Sequence, residues 1–378
     1  MSIAQSKARP LAVGLGLGRG NGGPYKTIMQ FRSVQKCGVV SFSDRSTEAI
    51  PGDGVRHLRC GSGFLDRRFL LLGAAERREF GGLVDAASHV QCHILFRYSA
   101  HLISNECRRS RKPYWVIPHG CLDPYVFTYR RLQKMVWMQL FGRRFLRDAK
   151  FVVFASEREQ RKAQPWLGRA NGRVVHWPVE IPVQSRNSGD RQQLRAQLGI
   201  PADARVLLCL GRVNGMKRPL ESARVFAASN LRNCHLVFVG NDDSGIGPHL
   251  RKIVAGAPLR NVHWVGPVFG AKRDEFVRSC DGYWSYSLRE NFNHSAAESI
   301  AAGLPVILSP GNDLCDELEG VGAGWLVNSD SSTAVARVLW EWAEASDETL
   351  SEMGRKGRSW AKQVLSFERF SRDLNDLR

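Results

Sequence analysis

Short apolar runs alternate with longer amphipathic stretches along most of the chain. In the second half the apolar runs are Val206–Leu210, His235–Val239, Val262–Val265, Asp281–Tyr286, Val306–Leu308 and Gly324–Val327, with helical patterns between them. Nearly continuous apolar strands that alternate with helices are typical of a parallel sheet covered on both faces. The second half therefore predicts an α/β domain, with ligands beyond the carboxyl ends of its strands.

The first half shows the same alternation less regularly. Its strand candidates are Leu11–Leu15, Val39–Val40, Val55–Leu58, His93–Phe96, Tyr114–Ile117 and Phe151–Phe154. A polar stretch flanked by prolines follows at residues 177–190, and such a stretch is a reasonable hinge. Because 378 residues exceed one ordinary core, two domains are expected. We place the first over residues 1–182 and the second over residues 183–365.

The positive charge of the chain is concentrated in its first half. Residues 1–180 contain 30 Lys and Arg against 13 Asp and Glu, a net charge of +17, whereas residues 181–378 contain 24 against 23, a net charge of +1. A strongly basic half points to an anionic partner, namely nucleic acid, an anionic membrane surface or a phosphorylated acceptor. Alternatively, the positive charge has no functional meaning and reflects an organism whose proteins are basic in general.

A basic amphipathic pattern lies within that half. Residues 130–147 predict a helix that carries on one side Leu132, Met135, Val136, Leu140 and Phe141. The flanking basic residues are Arg130, Arg131, Lys134, Arg143, Arg144 and Arg147. Such a helix can lie on an anionic bilayer, and an ordinary helix that packs on a core has much the same pattern. Both interpretations remain open at this point.

The cysteines indicate a reducing compartment. The chain has nine cysteines, an odd number, and no Cys-x-x-Cys pair. Such usage favours reduced thiols in a cytosol over a disulfide scaffold or a metal site. No window reaches the roughly 18 consecutive apolar residues that a membrane-spanning helix needs.

Two glutamates, Glu290 and Glu298, are separated by seven residues. Glu290 follows the apolar run Asp281–Tyr286, and Glu298 lies one turn inside a helix that begins near Ser295. Ionised carboxylates only accept hydrogen bonds, which suits the hydroxyls of a sugar, and a helix N-terminus between them suits a phosphate. Taken alone, the pair is more typical of solvated helix charges.

Arg212 and Lys217 follow the buried-type strand Val206–Leu210. A cation pair at a strand end suits a phosphate, because the guanidinium is a planar fork and the ammonium a compact charge. The chain has neither the P-loop pattern nor the Asp-x-Asp triplet that often holds a divalent metal. Positive charge for an anionic leaving group is therefore expected from Arg, Lys and backbone amides, with no metal and no cofactor.

The first half contributes two further candidates. Glycines cluster over residues 16–23, and Gly22 and Gly23 stand at a helix entry, where backbone N–H groups can approach an anion. The GxGxxG pattern in this cluster is weak evidence for a dinucleotide, because no acidic residue follows at a convincing strand end. His119 comes at the tip of the strand Tyr114–Ile117, although a lone histidine is more often structural.

Together these segments resemble the retaining glycosyltransferases of the GT-B fold, family-4 type (glycosyltransferase group 1), which build bacterial surface polysaccharides. The resemblance implies an acceptor-side and a nucleotide-sugar domain, both Rossmann-like, that face each other across a cleft. It implies a C-terminal helix over residues 366–378 that crosses back to the first domain. It also implies retaining, metal-independent transfer from a nucleotide-diphosphate sugar to a glycan or polyprenyl-diphosphate-linked acceptor. Such an enzyme is cytoplasmic and can sit on the inner face of the plasma membrane.

The resemblance also implies a role for each candidate residue. In the catalytic set, Glu290 contacts the hydroxyls of the donor sugar and His119 lies near the sugar's reacting face. Arg212 and Lys217 are the two cations that bind the diphosphate. Glu298 maps onto the residue that binds the ribose. The remaining substrate-binding positions are Gly22, Gly23, Asn291, Phe292, Asn293, His294 and Ser295.

The signature loop departs from the family's pattern. Asn291 and Asn293 stand where the family usually has glycine, and Tyr286 replaces a proline. Asparagine tolerates unusual backbone angles, so the loop can still form. The departures leave open a catalytically degenerate protein that only binds a nucleotide sugar. A basic nucleic-acid-binding protein is the other alternative, although no zinc-finger spacing, aromatic RNA-binding strand or basic zipper supports it.

Overall fold

A computed structural model describes residues 8–18, 22–44, 47–61, 63, 71–183, 188–242, 244–255 and 261–377. The chain divides into two compact units. The N-terminal unit comprises Met1–Trp177 together with Phe370–Arg378, and the C-terminal unit comprises Pro178–Arg369. The first division falls inside the proline-flanked stretch that the sequence predicts as a hinge.

The N-terminal unit contains a parallel sheet of seven described strands. They are β1 (Leu11–Leu15), β2 (Gly38–Ser43), β3 (Val55–Arg59), β4 (Val90–Cys92), β5 (Tyr114–Val116), β6 (Phe151–Phe154) and β7 (Gly172–Val174). Their spatial order is β3-β2-β1-β4-β5-β6-β7. In the central strand Val13 pairs with Val40 on one side and with Cys92 on the other.

Helices connect these strands. They are α1 (Gly23–Gln35), α2 (Ala74–Ala86), α3 (Tyr98–Arg109), α4 (Arg131–Trp137), α5 (Arg143–Arg147) and α6 (Glu157–Leu167). A 3-10 turn (Pro124–Thr128) precedes α4, and a π-helical turn (Met138–Gly142) joins α4 to α5. Phe370, from the end of the chain, packs edge-on against Phe31 of α1, with ring centroids 5.1 Å apart, and against Trp177 at 6.2 Å.

The predicted strand His93–Phe96 is wrong in position. The strand is Val90–Cys92, and Phe96 already has a left-handed backbone with φ of 55°. The apolar pattern missed the strand because its centre is the polar Gln91, which is fully buried and hydrogen-bonded to Gln35 of α1. Interior polar pairs of this kind are invisible to a hydropathy pattern.

The C-terminal unit contains a second parallel sheet, of six described strands. They are β8 (Arg205–Leu210), β9 (Cys234–Val239), β10 (Val262–Gly266), β11 (Gly282–Ser285), β12 (Val306–Leu308) and β13 (Gly324–Leu326), in the order β10-β9-β8-β11-β12-β13. All six apolar runs predicted in this half form strands. A parallel α/β arrangement in both halves is therefore confirmed.

The helices of this unit follow the strands in turn. They are α7 (Ser188–Leu198), α8 (Pro219–Ala228), α9 (Gly247–Val254), α10 (Gly270–Ser279), α11 (His294–Ala301), α12 (Leu314–Leu318), α13 (Ser332–Glu344) and α14 (Asp347–Val364), and α15 (Phe367–Asp376) follows them. Several begin at a capping serine: Ser331 and Ser346 accept the N–H three residues on at the starts of α13 and α14.

Each unit has its own hydrophobic core around its sheet. Phe42, Val116 and Phe154 are fully buried in the first, and Leu236 and Ile307 are fully buried in the second. No disulfide joins any of the nine cysteines. Among the described helices, none combines the length and the apolar character that spanning a bilayer requires.

Candidate active site

Lys217 and Glu290 meet at one edge of the second sheet. β8 and β11 are hydrogen-bonded neighbours, with Tyr283 opposite Leu208, so their carboxyl ends lie side by side. Lys217 follows β8 in a 3-10 turn and Glu290 follows β11. The Lys217 ammonium donates a hydrogen bond of 2.6 Å to Oε1 of Glu290. Two residues that lie 73 positions apart in the sequence are thus brought into direct contact.

The pair lies in a partly buried, charge-coupled environment. Burial alone would lower the pKa of Lys217, but the attraction of Glu290 and Tyr283, with the hydrogen bond to Glu290, raises it. Burial raises the pKa of the Tyr283 phenol to about 12. Ser287 donates a second hydrogen bond, of 3.0 Å, to the same Glu290 oxygen. Lys217 is therefore a cation and Glu290 an acceptor held at a defined place.

Gly211 makes room for the Lys217 side chain, and Gly240 makes room for the Gly211 backbone. Gly240 has φ of 156°, and a Cβ there would overlap the carbonyl oxygen of Gly211. A Cβ at Gly211 would come within 2.8 Å of Cε of Lys217. Arg212 follows directly, is exposed, and interacts electrostatically with Lys217. The predicted cation pair therefore shares one loop at the strand end.

Asn293 fixes the loop between Glu290 and α11. It has a left-handed backbone, with φ of 51°, and its Oδ1 accepts the Ala296 N–H at 3.3 Å, so it caps the helix. Its Nδ2 donates to Oδ1 of the buried Asn312 at 2.7 Å and to Oγ of Ser285 at 3.2 Å. The Tyr283 hydroxyl donates to its Oδ1 at 3.3 Å. An asparagine thus supplies both the glycine-like backbone and a polar anchor.

Glu298 lies on α11 and forms an ion pair with Arg273 of α10. Both side chains are mostly buried. Arg273 interacts electrostatically with Tyr283, which also interacts with Lys217 and Glu290, so the two glutamates belong to one electrostatic cluster. The sequence gives no signal for Arg273, because a lone arginine in a charged helix is indistinguishable from a solvated one.

The other predicted binding residues of this loop differ in exposure. Phe292 is only 2% exposed and packs edge-on against the His294 ring, with centroids 4.9 Å apart. Asn291, His294 and Ser295 are partly exposed. Phe292 therefore supports the loop from beneath, while its neighbours offer polar groups at the surface.

His119 lies at the carboxyl end of β5 in the N-terminal unit. Its backbone is left-handed, with φ of 49°, which is uncommon outside glycine and concentrates at functional sites. Its Nε2 lies 2.9 Å from Nδ1 of His93, which follows the neighbouring strand β4, and the two rings stack. Burial lowers the pKa of His119 to about 4. Burial and the neighbouring His119 hold the pKa of His93 well below its usual value.

A buried glutamate holds the His119 turn in place. Glu159 of α6 is 3% exposed. Its Oε1 accepts the Gly120 N–H at 2.6 Å, and its Oε2 accepts the Ala155 N–H at 2.7 Å. The sequence gives no signal that Glu159 supports the His119 turn. Glu159 lies three residues after the helix-capping Ser156, and this spacing predicts only a local capping box.

Gly22 and Gly23 stand at the start of α1, after β1. A Cβ added to Gly22 would meet no atom within 4 Å, so its backbone faces open space. The central glycine-loop residues 19–21 lie outside the described part of the chain. Phe31 of α1 contacts the His93 ring, with centroids 5.4 Å apart, so α1 and His119 pack on the same histidine.

Two units, each a parallel sheet with helices between its strands, define the Rossmann-like α/β class. Residues 190–360 match the sequence model of the family Glycosyl transferases group 1. D-inositol 3-phosphate glycosyltransferase of Stackebrandtia nassauensis is 27% identical over 219 residues, which is 53% of this chain and 46% of the relative. The chain thus spans about half the length of the curated relatives it matches.

Solved structures match almost the whole chain. HepE of Anabaena, in complex with UDP and glucose, has a TM-score of 0.78 at 17% identity and covers 97% of this chain and 98% of its own. Sucrose-phosphate synthase of Thermosynechococcus elongatus has a TM-score of 0.76 at 18% identity, with 98% of each chain covered. The predicted GT-B fold class is confirmed. The group 1 domain and the curated relatives support the predicted enzyme class, a glycosyltransferase.

Proposed function

We propose that this protein transfers a sugar from a nucleotide-diphosphate sugar to a glycan or lipid-linked acceptor in bacterial surface polysaccharide synthesis, with retention at the anomeric carbon and without a metal. The observation that carries this proposal is the contact of Lys217 with Glu290 at neighbouring strand ends. A cation beside a hydrogen-bond acceptor suits a ligand that combines a diphosphate with hydroxyl groups. The UDP and glucose in the HepE structure support a nucleotide-sugar donor.

Donor binding would separate Lys217 from Glu290, because each residue would bind a different part of the donor. Lys217 would turn to the diphosphate, while Glu290, still bonded to Ser287, would accept a hydrogen bond from a sugar hydroxyl. Charge grows on the diphosphate as the glycosidic bond breaks. Lys217, Arg212 and the backbone N–H groups at the start of α11 would stabilise that charge more in the transition state than in the ground state. The mechanism therefore uses fixed cations and helix amides where other enzymes use a metal.

We propose a role for two further residues, one in each unit. Glu298, held by Arg273, would accept hydrogen bonds from the ribose with its carboxylate. His119 would approach the reacting face of the sugar as a neutral imidazole, because its pKa is about 4. A neutral imidazole adds no positive charge beside an oxocarbenium-like centre, which a protonated one would destabilise.

The acceptor is proposed to be anionic and membrane-carried. The net charge of +17 on residues 1–180 favours a polyprenyl-diphosphate-linked acceptor or another phosphorylated one. Nine cysteines without a disulfide support a cytoplasmic protein. We place it on the inner face of the plasma membrane, where such acceptors and anionic lipids meet.

A thermal-shift screen tests donor binding. UDP-, GDP-, ADP- and TDP-sugars are added to the wild type, to Glu290→Gln and to the surface control Lys252→Ala. One donor should stabilise the wild type and the control by roughly 2.7 kcal/mol at a hundred times Kd, and Glu290→Gln much less. If no nucleotide sugar stabilises the wild type, or if Glu290→Gln responds equally, the proposal fails.

Product analysis tests the finer claims. The anomeric configuration of the product, read by proton NMR, should match that of the donor, and a chelator should leave turnover unchanged. An inverted product or a requirement for added divalent metal would contradict retention or metal independence respectively.

The second candidate is a degenerate transferase that binds donor without turnover, motivated by Asn291 and Asn293 in the signature loop. The left-handed backbone of Asn293 argues against it, because the glycine-like conformation is kept. Donor stabilisation without hydrolysis or transfer to any acceptor would favour this candidate. Steeply salt-dependent binding to nucleic acid, without donor stabilisation, would favour the nucleic-acid alternative instead.

A further inference from the structure

The helical stretch from α4 to α5, residues 131–147, carries apolar side chains on its outer face. The exposed fraction is 78% for Leu132, 48% for Val136 and 64% for Leu140. These three residues follow each other at intervals of four, so they lie in one row along the helix. Tyr129, Met135 and Phe141 are also exposed beside this row.

The inner face of the same stretch already supplies the core. Met138, Phe145 and Leu146 are at most 4% exposed and belong to the hydrophobic core of the N-terminal unit. No residue of α4 is buried. The core-packing interpretation of Leu132, Met135, Val136, Leu140 and Phe141 is therefore wrong, since all five face outward. The apolar row of Leu132, Val136 and Leu140 is therefore not covered by the core of the N-terminal unit.

The charge around this row is predominantly positive. No Asp or Glu occurs between Pro124 and Arg147, whereas six basic residues do: Arg130, Arg131, Lys134, Arg143, Arg144 and Arg147. Lys134 is held internally by the carbonyl of Tyr129. The five arginines are exposed, and Arg144 and Arg147 share an ion pair with Asp148 at the end of the stretch. An apolar row bordered by arginines fits a partner that has an apolar interior and an anionic surface.

We propose that this face, the outer face of residues 129–147, docks on an anionic lipid bilayer. The stretch of residues 131–147 is about 25 Å long, enough to lie in the plane of the interface. Leu132, Val136 and Leu140 enter the boundary between headgroups and acyl chains, and the arginines reach lipid phosphates. The proposal deepens the membrane placement of the proposed function, but it stands on this surface alone and needs no transferase activity.

Vesicle co-sedimentation tests the proposal. The wild type should bind phosphatidylcholine vesicles that contain about 30% phosphatidylglycerol far better than pure phosphatidylcholine vesicles. Arg131→Gln with Arg143→Gln should weaken binding to the anionic vesicles roughly 25-fold, since each arginine contributes about fivefold. Leu132→Gln with Leu140→Gln should weaken it at least about tenfold, including at high salt, where the charge effect is screened.

Matched controls lie on α13 in the C-terminal unit. Trp340 and Arg337 are exposed there, so Trp340→Gln and Arg337→Gln change the same kinds of side chain elsewhere and should leave binding unchanged. The proposal is overturned if the wild type shows no preference for anionic vesicles, or if the leucine and arginine variants bind like the controls. It is also overturned if sedimentation equilibrium shows a dimer that the leucine variant dissociates while neither protein binds vesicles, because the face is then an interface between two copies.

The outcome is separable from that of the proposed function. All four variants should keep the donor-induced thermal shift, because none lies in the C-terminal site loops. If the protein binds vesicles but no donor shifts its thermal stability, the proposed function is contradicted and this inference is supported.

Discussion

Asn293 shows at the residue scale how a side chain can replace a glycine. Its left-handed backbone is one that asparagine tolerates, and its amide fills the space above the strands with hydrogen bonds to Asn312 and Ser285. The loop that presents Glu290 is thereby anchored to the neighbouring strand. The two asparagines of this loop therefore need not mean a lost site.

Replacing Asn293 should separate these contributions. Asn293→Ala loses the cap, leaves buried partners unsatisfied and puts at positive φ a residue that tolerates this backbone less well than asparagine, so we expect a loss of about 2–3 kcal/mol in the free energy of unfolding. Asn293→Gly should lose about 1 kcal/mol less, because glycine accepts the backbone. Urea unfolding measures both. Asn230→Ala, at an exposed left-handed asparagine, is the control for the backbone term alone; equal losses at the two positions would contradict the network's role.

Lys217 should act mainly in the transition state. Lys217→Ala is expected to lower kcat about a hundredfold, since removing one group that stabilises a developing anion costs roughly 3 kcal/mol. Steady-state kinetics with the donor found by thermal shift measure this, with Lys252→Ala as the control. Unchanged turnover would remove Lys217 from the mechanism.

His119 should make stability depend on pH. The unfolded chain protonates this histidine near its ordinary pKa of 6.5, but the folded chain only at about 4. The stabilising contribution is therefore complete above pH 6.5 and falls as the pH drops toward 4. Urea unfolding at about pH 7.5 and about pH 4.5 should show the wild type losing up to about 3 kcal/mol more than His119→Gln. A difference between the two proteins that does not change with pH would contradict the neutral, buried imidazole.

The site residues that the sequence did not predict have partners far away in the chain. Glu159 and Arg273 each look like an ordinary helix charge, and only the fold brings Glu159 to Gly120 and Arg273 to Glu298. Glu290 and Lys217 were predicted because each directly follows an apolar strand. Sequence patterns thus find groups at strand ends, whereas groups that support them from a neighbouring helix need tertiary structure.

At the scale of elements, a buried ion pair connects α7 to the second sheet. Arg195 is 2% exposed, donates to Asp281 at 2.6 Å and also bonds the Ala204 and Ser279 carbonyls. Asp281 in turn accepts the Val206 N–H at 2.9 Å, so α7, β8 and β11 share one polar junction.

Breaking this junction should be costly. Arg195→Met leaves two carbonyls and a carboxylate short of a donor, and we expect a loss of about 3 kcal/mol in the free energy of unfolding. Arg191→Met removes the more exposed partner of the same carboxylate and should cost less than about 1 kcal/mol. Urea unfolding of the two variants compares them directly. Similar losses would mean that burial does not determine how much each arginine stabilises the protein.

The strands that consist of an apolar run could be predicted from hydropathy alone. Every predicted strand of the second half has an apolar run, while β7 (Gly172–Val174) has a glycine and an arginine and gave no such signal. The stretch 131–147 was predicted as a helix, but its pattern could not tell which apolar face was inner. That distinction depends on Met138, Phe145 and Leu146, which occupy the core side.

At the scale of the molecule, the fold class followed from the alternation of strands and helices, whereas the helix over residues 366–378 that crosses back to the first domain was expected only from the family resemblance. Sequence order suggests that the first unit ends near the hinge, yet Phe370 and Leu374 are buried in a unit that otherwise ends at Trp177. A pattern read along the chain cannot show that a late segment belongs to an early unit.

The packing of Phe370 against Phe31 and Trp177 bears on how the chain is made. On the ribosome, Phe31 and Trp177 emerge long before Phe370, which is translated only after the whole intervening unit. The nascent N-terminal unit therefore keeps the sides of Phe31 and Trp177 that Phe370 covers exposed until α15 has been translated.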